Sequence, residues 1–213
     1  MAIYEFEHIQ TGANAAIQFI SAAAGWTVPV DGADADGIEM NHGVIAGRDL
    51  SFTVGTDPAF FIQVTMLVDL IASQDVYGVG FRKQGVNVDI TTPSLMASVY
   101  DDKAIIGVND NAGNLVTITS IGGTDTTTEL AHAVLANATW LSMRVNVSGA
   151  GAVTYTLGTS LVSAAAAKTA LAADASAVAM TITDGIILTP YMPFVSTGTL
   201  CDIDLVEYEV GWQ

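Results

Sequence analysis

The sequence predicts an all-β chain folded as an antiparallel β-sandwich, with one or two short helices. Short segments rich in β-branched and aromatic residues follow one another along most of the chain, and turn residues separate them. The strands do not alternate with long helices, as they would in a parallel sheet. Only 5 prolines occur, and no repeat or linker is recognisable. One domain covering residues 1–213 is therefore predicted.

The predicted strands lie between clusters of Gly, Asn, Asp and Ser. The strand from Trp140 alternates strictly, so its apolar side chains from Leu141 to Val147 point to one face. Trp140 itself is predicted to lie in the core. Turns at 109–113 and 148–151 predict two hairpins. The predicted strands are Phe52–Val54, Phe60–Leu70, Val76–Arg82, Ser98–Tyr100, Lys103–Val108, Asn114–Ser120, Trp140–Val147, Val153–Leu157, Ile186–Leu188 and Leu200–Val210.

Two apolar segments depart from the strand pattern. Residues Ser163–Ala173 predict a short helix, because Ser163 is a suitable N-cap and alanine is the strongest helix former. Its low polarity indicates that this helix packs on its own sheet or on a neighbouring subunit. Residues Ile17–Ala24 predict either a short helix or a covered strand.

Residues 1–24 are predicted to form an N-terminal arm that makes inter-subunit or peripheral contacts. The apolar residues at its start alternate, which favours the addition of a strand to a neighbouring subunit. The last tryptophan of the chain is predicted to anchor an interface. The candidate interface residues are Ile3, Tyr4, Phe6, Ile9 and Trp212.

The charge balance excludes several classes of partner. Six Lys and Arg residues stand against 22 Asp and Glu residues, a formal net charge of −16. Such a chain repels the phosphates of nucleic acid and of anionic membranes, so neither is an expected partner. Hydrophobic residues make up 51% of the chain, which excludes disorder.

The N-terminus lacks the pattern of a signal peptide. The single Cys201 excludes an internal disulfide and a cysteine-based zinc cluster.

From about Gly25 onward the order of elements resembles the concanavalin A-like (lectin/glucanase-type) jelly roll. That fold has an early segment with a tryptophan and then a long mid-chain strand pair, of the type seen at 60–70 and 76–82. A hairpin and a closing strand follow, the latter represented here by Ile203–Gly211. The resemblance implies a lectin-like jelly-roll sandwich. The hairpin residues that match are Trp140, Arg144, Val145, Val147, Gly149, Gly151, Val153 and Tyr155.

The segment Asp202–Glu207 resembles the E-I-D-I-V-E motif of the laminarinase-like glycoside hydrolases, which share this jelly roll. In that family, two carboxylates of the motif serve as nucleophile and general acid. This sequence departs from the pattern, because Asp202 occupies the nucleophile position with a shorter side chain and the motif lies close to the C-terminus. We therefore expect a non-enzymatic protein with solvent-facing carboxylates on its last strand.

Two segments of the chain are rich in the oxygen-bearing side chains that bind metal ions. The segment 109–114 fails as an EF-hand loop, because Ser120 stands where a bidentate glutamate is needed. It fits a hairpin turn, with a calcium site of the legume-lectin type as the alternative. The acidic segment Asp31–Gly37 predicts either a solvated loop or a divalent-cation site with Asp31, Asp34 and Asp36 as ligands. The three histidines have no metal-ligand spacing. No cofactor is predicted.

Three functions remain open from the sequence. The chain also resembles small structural proteins of tailed bacteriophages, which implies a non-enzymatic capsid decoration or cement protein located in the virion. Capsid or other virion proteins and further copies of the chain, favoured as a trimer, are then the expected partners. The alternative is a carbohydrate-binding, lectin-like module for host attachment, which predicts a sheet face with exposed aromatic residues. The third is a glycoside hydrolase that depends on Glu207.

Overall fold

A computed structural model describes eleven stretches of the chain. They contain sixteen strands and one helix. The described residues are 7–11, 18–21, 25–30, 34–41, 50–70, 76–85, 100–108, 114–130, 135–174, 177–197 and 201–213. The elements are β1 (Glu7–Thr11), β2 (Gln18–Ser21), β3 (Gly25–Val30), β4 (Asp34–Asn41), β5 (Phe52–Thr53), β6 (Phe60–Leu70), β7 (Val76–Lys83), β8 (Lys103–Val108), β9 (Leu115–Ile121), β10 (Thr124–Glu129), β11 (Thr139–Val147), β12 (Ala152–Ser160), α1 (Ala164–Thr169), β13 (Ala172–Ala173), β14 (Met180–Thr181), β15 (Ile187–Thr197) and β16 (Cys201–Trp212).

The strands form two antiparallel sheets of eight strands each, so the predicted β-sandwich is confirmed. Sheet A has the order β1-β4-β15-β7-β8-β9-β10, with β5 paired to β15. Sheet B has the order β13-β12-β11-β6-β16-β3-β2, with β14 paired to β12. The long segments β6 and β7, which the sequence suggested as a strand pair, lie in opposite sheets. β6 pairs with the distant strands β11 and β16, and β7 pairs with β8 and with the distant β15, as the crossing connections of a jelly roll require.

One hydrophobic core lies between the sheets. In β11 the side chains of Leu141, Met143, Val145 and Val147 are buried, as their alternation predicts. They pack with inward-facing residues of β6 and of sheet A, including Phe60, Ile62, Phe81 and Ile106. Burial of this continuous apolar layer is the main stabilising force of a sandwich.

An aromatic cluster closes one end of the core. Phe52 stacks on Phe60 with ring centroids 4.5 Å apart, and Phe81 meets both rings edge to face. Trp212 contacts Phe52 in the same edge-to-face manner, at 4.7 Å. Trp212 is 51% exposed, so one side of this predicted interface residue packs on its own core and the other meets solvent.

Segment 34–37 differs from the solvated loop that its acidic composition predicted, because it lies within β4. This strand is hydrogen-bonded on both sides, to β1 and to β15, and its Met40 is buried in the core. Pairing on both edges outweighs the low intrinsic β-propensity of Asp and Gly. Asp31 lies outside the described residues.

Part of the predicted N-terminal arm belongs to the sandwich of its own chain. Residues 7–11 form β1, at the end of the order of sheet A, and Ile9 is paired with Glu39 of β4. Residues Ile3, Tyr4 and Phe6 lie outside the described residues. In the segment Ile17–Ala24, residues 18–21 form β2, which corresponds to the strand alternative.

The predicted helix is present but shorter than Ser163–Ala173. The Ser163 side chain accepts a hydrogen bond from the backbone N–H of Ala166 at 3.2 Å, which caps α1 as expected. The helix ends at Thr169, because Ala172 and Ala173 pair with β12 as strand β13.

Candidate functional site

The candidate site lies on the side of sheet B that points away from the core. In β6 the residues Phe60, Ile62, Val64, Met66 and Val68 face the core and are fully buried. Their neighbours in the strand therefore point outward. Register then places alternate residues of β11 on the same side. The outward residues of these two strands are Phe61, Gln63, Thr65, Leu67, Trp140, Ser142, Arg144 and Asn146. We call this side the outer face of sheet B.

A β-bulge brings the carboxylates of the last strand to this face. Asp204 is opposite Leu67 and Glu207 is opposite Thr65, and the register shifts between Leu205 and Glu207. Val206 is thus an extra residue. Without it, strict alternation would turn Glu207 toward the core, whereas the bulge aligns it with Asp204 and Glu209 on the outer face.

The prediction that Trp140 lies in the core is wrong, because its side chain points outward. It is opposite Leu67 of β6 and Ser160 of β12, and it is half-buried. Its own strand explains the result, because the core face is already filled by Leu141 and its alternate neighbours. Trp140, Leu67 and Asp204 consequently form one row across three adjacent strands.

Helix α1 crosses the middle of the outer face and packs on β6, β11 and β12. Ala167 is its one fully buried side chain. Gly158 of β12 allows this approach, because a Cβ atom at that position would lie 2.2 Å from the Ala167 carbonyl oxygen. The helix thereby divides the face into an end with Trp140 and an end with Arg144.

Lys168 attaches the helix to the bulged strand. Its Nζ lies 2.7 Å from Oε1 of Glu207 and 3.5 Å from Oε1 of Glu209. The hydrogen bond from Lys168 lowers the pKa of Glu207 below its ordinary value, and the same bond raises the pKa of Lys168. Both side chains are partly exposed, so the pair contributes at most about 1 kcal/mol.

The contribution of this ion pair to folding stability is expected to depend on pH. Because the pKa of Glu207 is lowered, its contribution is present above pH 4.5 and is lost as pH falls through the lowered pKa. Because the pKa of Lys168 is raised, its contribution is present below pH 10.5 and is lost as pH rises through the raised pKa. Urea unfolding of wild type and Lys168→Met at several pH values measures the difference. A difference that is unchanged at pH 3 would contradict the assignment.

The other end of the face is built around Arg144. Its guanidinium carbon lies 3.8 Å from the centroid of the Phe61 ring, and its Nε donates to Oδ1 of Asn146 at 2.7 Å. Nη1 donates to Oε1 of Gln63 at 3.4 Å, and Gln213 also donates to Asn146. These contacts hold the planar guanidinium group of Arg144 flat on the sheet.

The predicted metal site with Asp31, Asp34 and Asp36 stays a prediction. Asp34 and Asp36 both lie in β4 of sheet A, and Asp31 lies outside the described residues. Within the stretches that the structure describes, no three His, Cys, Asp or Glu residues are placed to hold a metal ion.

The sequence predicted neither the place of Arg144 in the site nor the position of α1. The Ala-rich helix gave a signal for packing, but not for the face on which it packs.

The outer face of sheet A carries an enclosed ion pair. Glu39 and Arg82 are both fully buried and form an ion pair of 2.8 Å. The hydroxyl of Tyr100 donates to Oε2 of Glu39, and Arg82 lies 4.4 Å from the centre of the Tyr100 ring. Because these groups are enclosed, they offer no open surface.

Comparison with known proteins shows the fold. Neither a protein-family model nor a curated protein matches the sequence. Among solved structures, a functionally unknown protein from Saccharomyces cerevisiae is similar, with a TM-score of 0.59, 12% identity, and 97% of this chain and 96% of that chain covered. An alginate lyase from Pseudomonas aeruginosa has a TM-score of 0.58 and 12% identity, with 92% and 86% covered. The carbohydrate recognition domain of Emp46p has a TM-score of 0.55 and 4% identity, with 96% and 87% covered.

At these identities the similarity establishes the architecture. The chain has the lectin-like jelly-roll sandwich that also supports a carbohydrate recognition domain and alginate lyases. Function is determined by sites placed on such a fold. Among the described residues, no helix is long and apolar enough to span a membrane.

Proposed function

We propose that the chain is a non-enzymatic carbohydrate-binding protein that recognises saccharides on the outer face of sheet B. The row formed by Trp140, Leu67 and Asp204 is the observation that supports this most directly. It places a half-buried indole on a solvent-side sheet face and puts a carboxylate two strands away.

The spacing of this row suits a sugar ring. Neighbouring strands are about 4.8 Å apart, so the backbones at Trp140 and Asp204 are separated by about 10 Å. A pyranose stacked on the indole can therefore direct a hydroxyl toward the carboxylate of Asp204. The indole supplies apolar contact with the C–H face of the ring, and the carboxylate accepts a hydrogen bond.

The environment of Glu207 favours binding over hydrolysis. The general acid of a glycoside hydrolase must be protonated near neutral pH, which requires a raised pKa. The hydrogen bond from Lys168 instead lowers the pKa of Glu207. Helix α1 also packs over the middle of the face, beside this carboxylate. Both features support the proposal that the motif 202–207 does not act as a catalytic pair.

A glycan array followed by titration of the best ligand tests the proposal. Wild type is expected to bind at least one oligosaccharide. Trp140→Ala is expected to weaken that binding about 5- to 150-fold, because loss of a stacked ring costs about 1–3 kcal/mol. Asp204→Asn should weaken it less. Trp212→Phe is the matched control, because Trp212 is also half-exposed but lies at the aromatic end of the core.

Two outcomes would contradict the proposal. One is a wild-type protein that binds no glycan on the array. The other is equal loss of binding in Trp140→Ala and Trp212→Phe, which would indicate a general effect on folding. Near-ultraviolet circular dichroism of each variant establishes that it is folded before binding is measured.

The virion decoration role suggested by the sequence stays a prediction. The chain's net charge of −16 would suit the outside of a particle rather than a position against packaged DNA. Cosedimentation of the purified chain with capsids that lack decoration proteins tests it. A carbohydrate-binding protein on a virion surface is compatible with both expectations.

A further inference from the structure

The sheet surface against which helix α1 packs is polar, which is unusual for a surface that a helix covers. Gly158, Ser142 and Thr65 form one row across β12, β11 and β6, and Glu207 continues that row on β16. Thr65 and Ser142 are fully buried, and their hydroxyl groups are hydrogen-bonded to each other at 3.1 Å. Helices of globular proteins ordinarily bury an apolar stripe against apolar partners. We call this row the covered floor.

The contacts that hold α1 on the covered floor are few. Ala167 is the one side chain of the helix that is fully buried, and alanine offers little apolar area. The other contacts are those of its backbone with Gly158 and the ion pairs of Lys168, whose carboxylate partners are partly exposed. A helix of six residues is also too short to be stable by itself.

The segments on either side of α1 are poorly anchored as well. Leu161 and Val162, which lead into the helix, are 74% and 84% exposed. Ala172 and Ala173, which follow it, are exposed in the two-residue strand β13. The helix can therefore leave the sheet without disturbing the core, in which its segment takes almost no part.

We propose that α1 is a displaceable plug and that the saccharide-binding surface continues beneath it, over the covered floor. This inference rests on the proposed function. When α1 leaves, Glu207 and Glu209 lose Lys168 and become acceptors for sugar hydroxyls, and the hydroxyls of Thr65 and Ser142 become accessible. Three carboxylates on one face repel anionic ligands, so the ligand class is a neutral oligosaccharide.

Thiol labelling measures whether α1 opens in the folded protein. In a Cys201→Ser background, Ser142→Cys places a thiol on the covered floor, and Met143→Cys places one on the core side of the same strand. The thiol at 142 is expected to react with an aromatic disulfide reagent about tenfold or more faster than the thiol at 143. Thr65→Cys is a second reporter on the same floor.

Removal of the ion pair then tests how the helix is held. Lys168→Met is expected to raise labelling at 142 about two- to fivefold, as the loss of a partly exposed pair predicts, and to leave labelling at 143 unchanged. Equal labelling rates at 142, 65 and 143 under native conditions would overturn the inference, because α1 would then open only when the whole protein unfolds.

Saccharide affinity measured in wild type and Lys168→Met tests whether displacement of α1 promotes binding. The probe is the neutral oligosaccharide that binds most tightly on the array. If the ligand needs the open state, Lys168→Met should strengthen its binding by the same factor by which labelling at 142 increases. Faster labelling with unchanged affinity would overturn the role of the covered floor but leave the proposed function intact. Undiminished binding by Trp140→Ala would instead refute the proposed function.

Discussion

Replacement of Glu39 by alanine is expected to lower the free energy of unfolding by about 3–5 kcal/mol. The carboxylate of Glu39 is fully buried, and it accepts hydrogen bonds from both Nε and Nη2 of Arg82, at 2.9 and 2.8 Å, as well as from Tyr100. Its removal leaves the Arg82 guanidinium buried without its charge partner. Breaking a buried ion pair from one side has this order of cost, because the remaining ion is neither hydrated nor neutralised.

Urea unfolding of four proteins measures this effect and separates it from simple loss of packing. They are wild type, Glu39→Ala, Arg82→Met and the double variant Glu39→Ala/Arg82→Met. The double variant should be much less destabilised than the sum of the single changes, because it leaves no isolated charge. Strict additivity would refute the pairing. Since the pair lies in sheet A, saccharide binding by folded Glu39→Ala should equal that of wild type.

Replacement of Phe52 by alanine is expected to cost about 3–5 kcal/mol as well. Phe52 is fully buried at the centre of the aromatic cluster, where it contacts Phe60, Phe81 and Trp212. Truncation removes a large apolar side chain and leaves a cavity that three rigid rings cannot easily fill. The edge-to-face contacts add to this cost.

The free energy of unfolding and the tryptophan emission spectrum measure the Phe52→Ala effect. Emission from Trp212 should shift to longer wavelength, because the ring loses the partner that shields its buried side. Phe52→Leu should recover part of the stability. Ile187→Ala, in the strand paired with Phe52 but partly exposed, should cost less than about 0.5 kcal/mol. A similar loss in both alanine variants would contradict the central position of Phe52.

Much of the fold was predictable because one-sided burial leaves a period of two in the sequence. The alternation from Leu141 to Val147 identifies β11 and its core face, and the glycines at 149 and 151 mark its hairpin. Ser163 followed by four alanines identifies the start of α1. These signals are local, so they do not depend on knowing which strands become neighbours.

The elements that escaped prediction are those whose structure depends on distant partners. β4 contains two aspartates and a glycine, and pairing with β1 and β15 makes it a strand. β10 is polar throughout, and it forms because Gly122 and Gly123, both with positive φ, return the chain along β9. Trp140 was placed in the core because it opens an alternating strand, although that alternation assigns it to the opposite face.

The candidate site was predictable only in its parts. The carboxylates of 202–207 were recognised by resemblance, but the bulge that aligns Asp204 with Glu207 has no clear local signal. The buried partnership of Glu39 and Arg82 joins residues of two strands separated by β15 in the sheet. No spacing rule for one strand predicts such a pair.

The extra residue in β16 determines which side of the sheet each later residue of the strand faces. Beyond Val206, odd-numbered positions face solvent and even-numbered positions face the core, whereas Asp204, which precedes the bulge, is an even-numbered position that faces solvent. Loss of this one residue would turn Tyr208, Val210 and Trp212 outward and send Glu207 and Glu209 into the sandwich. An alignment with a related strand that lacks the bulge must therefore place a gap opposite Val206. Without that gap, the acidic residues are matched to core residues along the whole end of the chain.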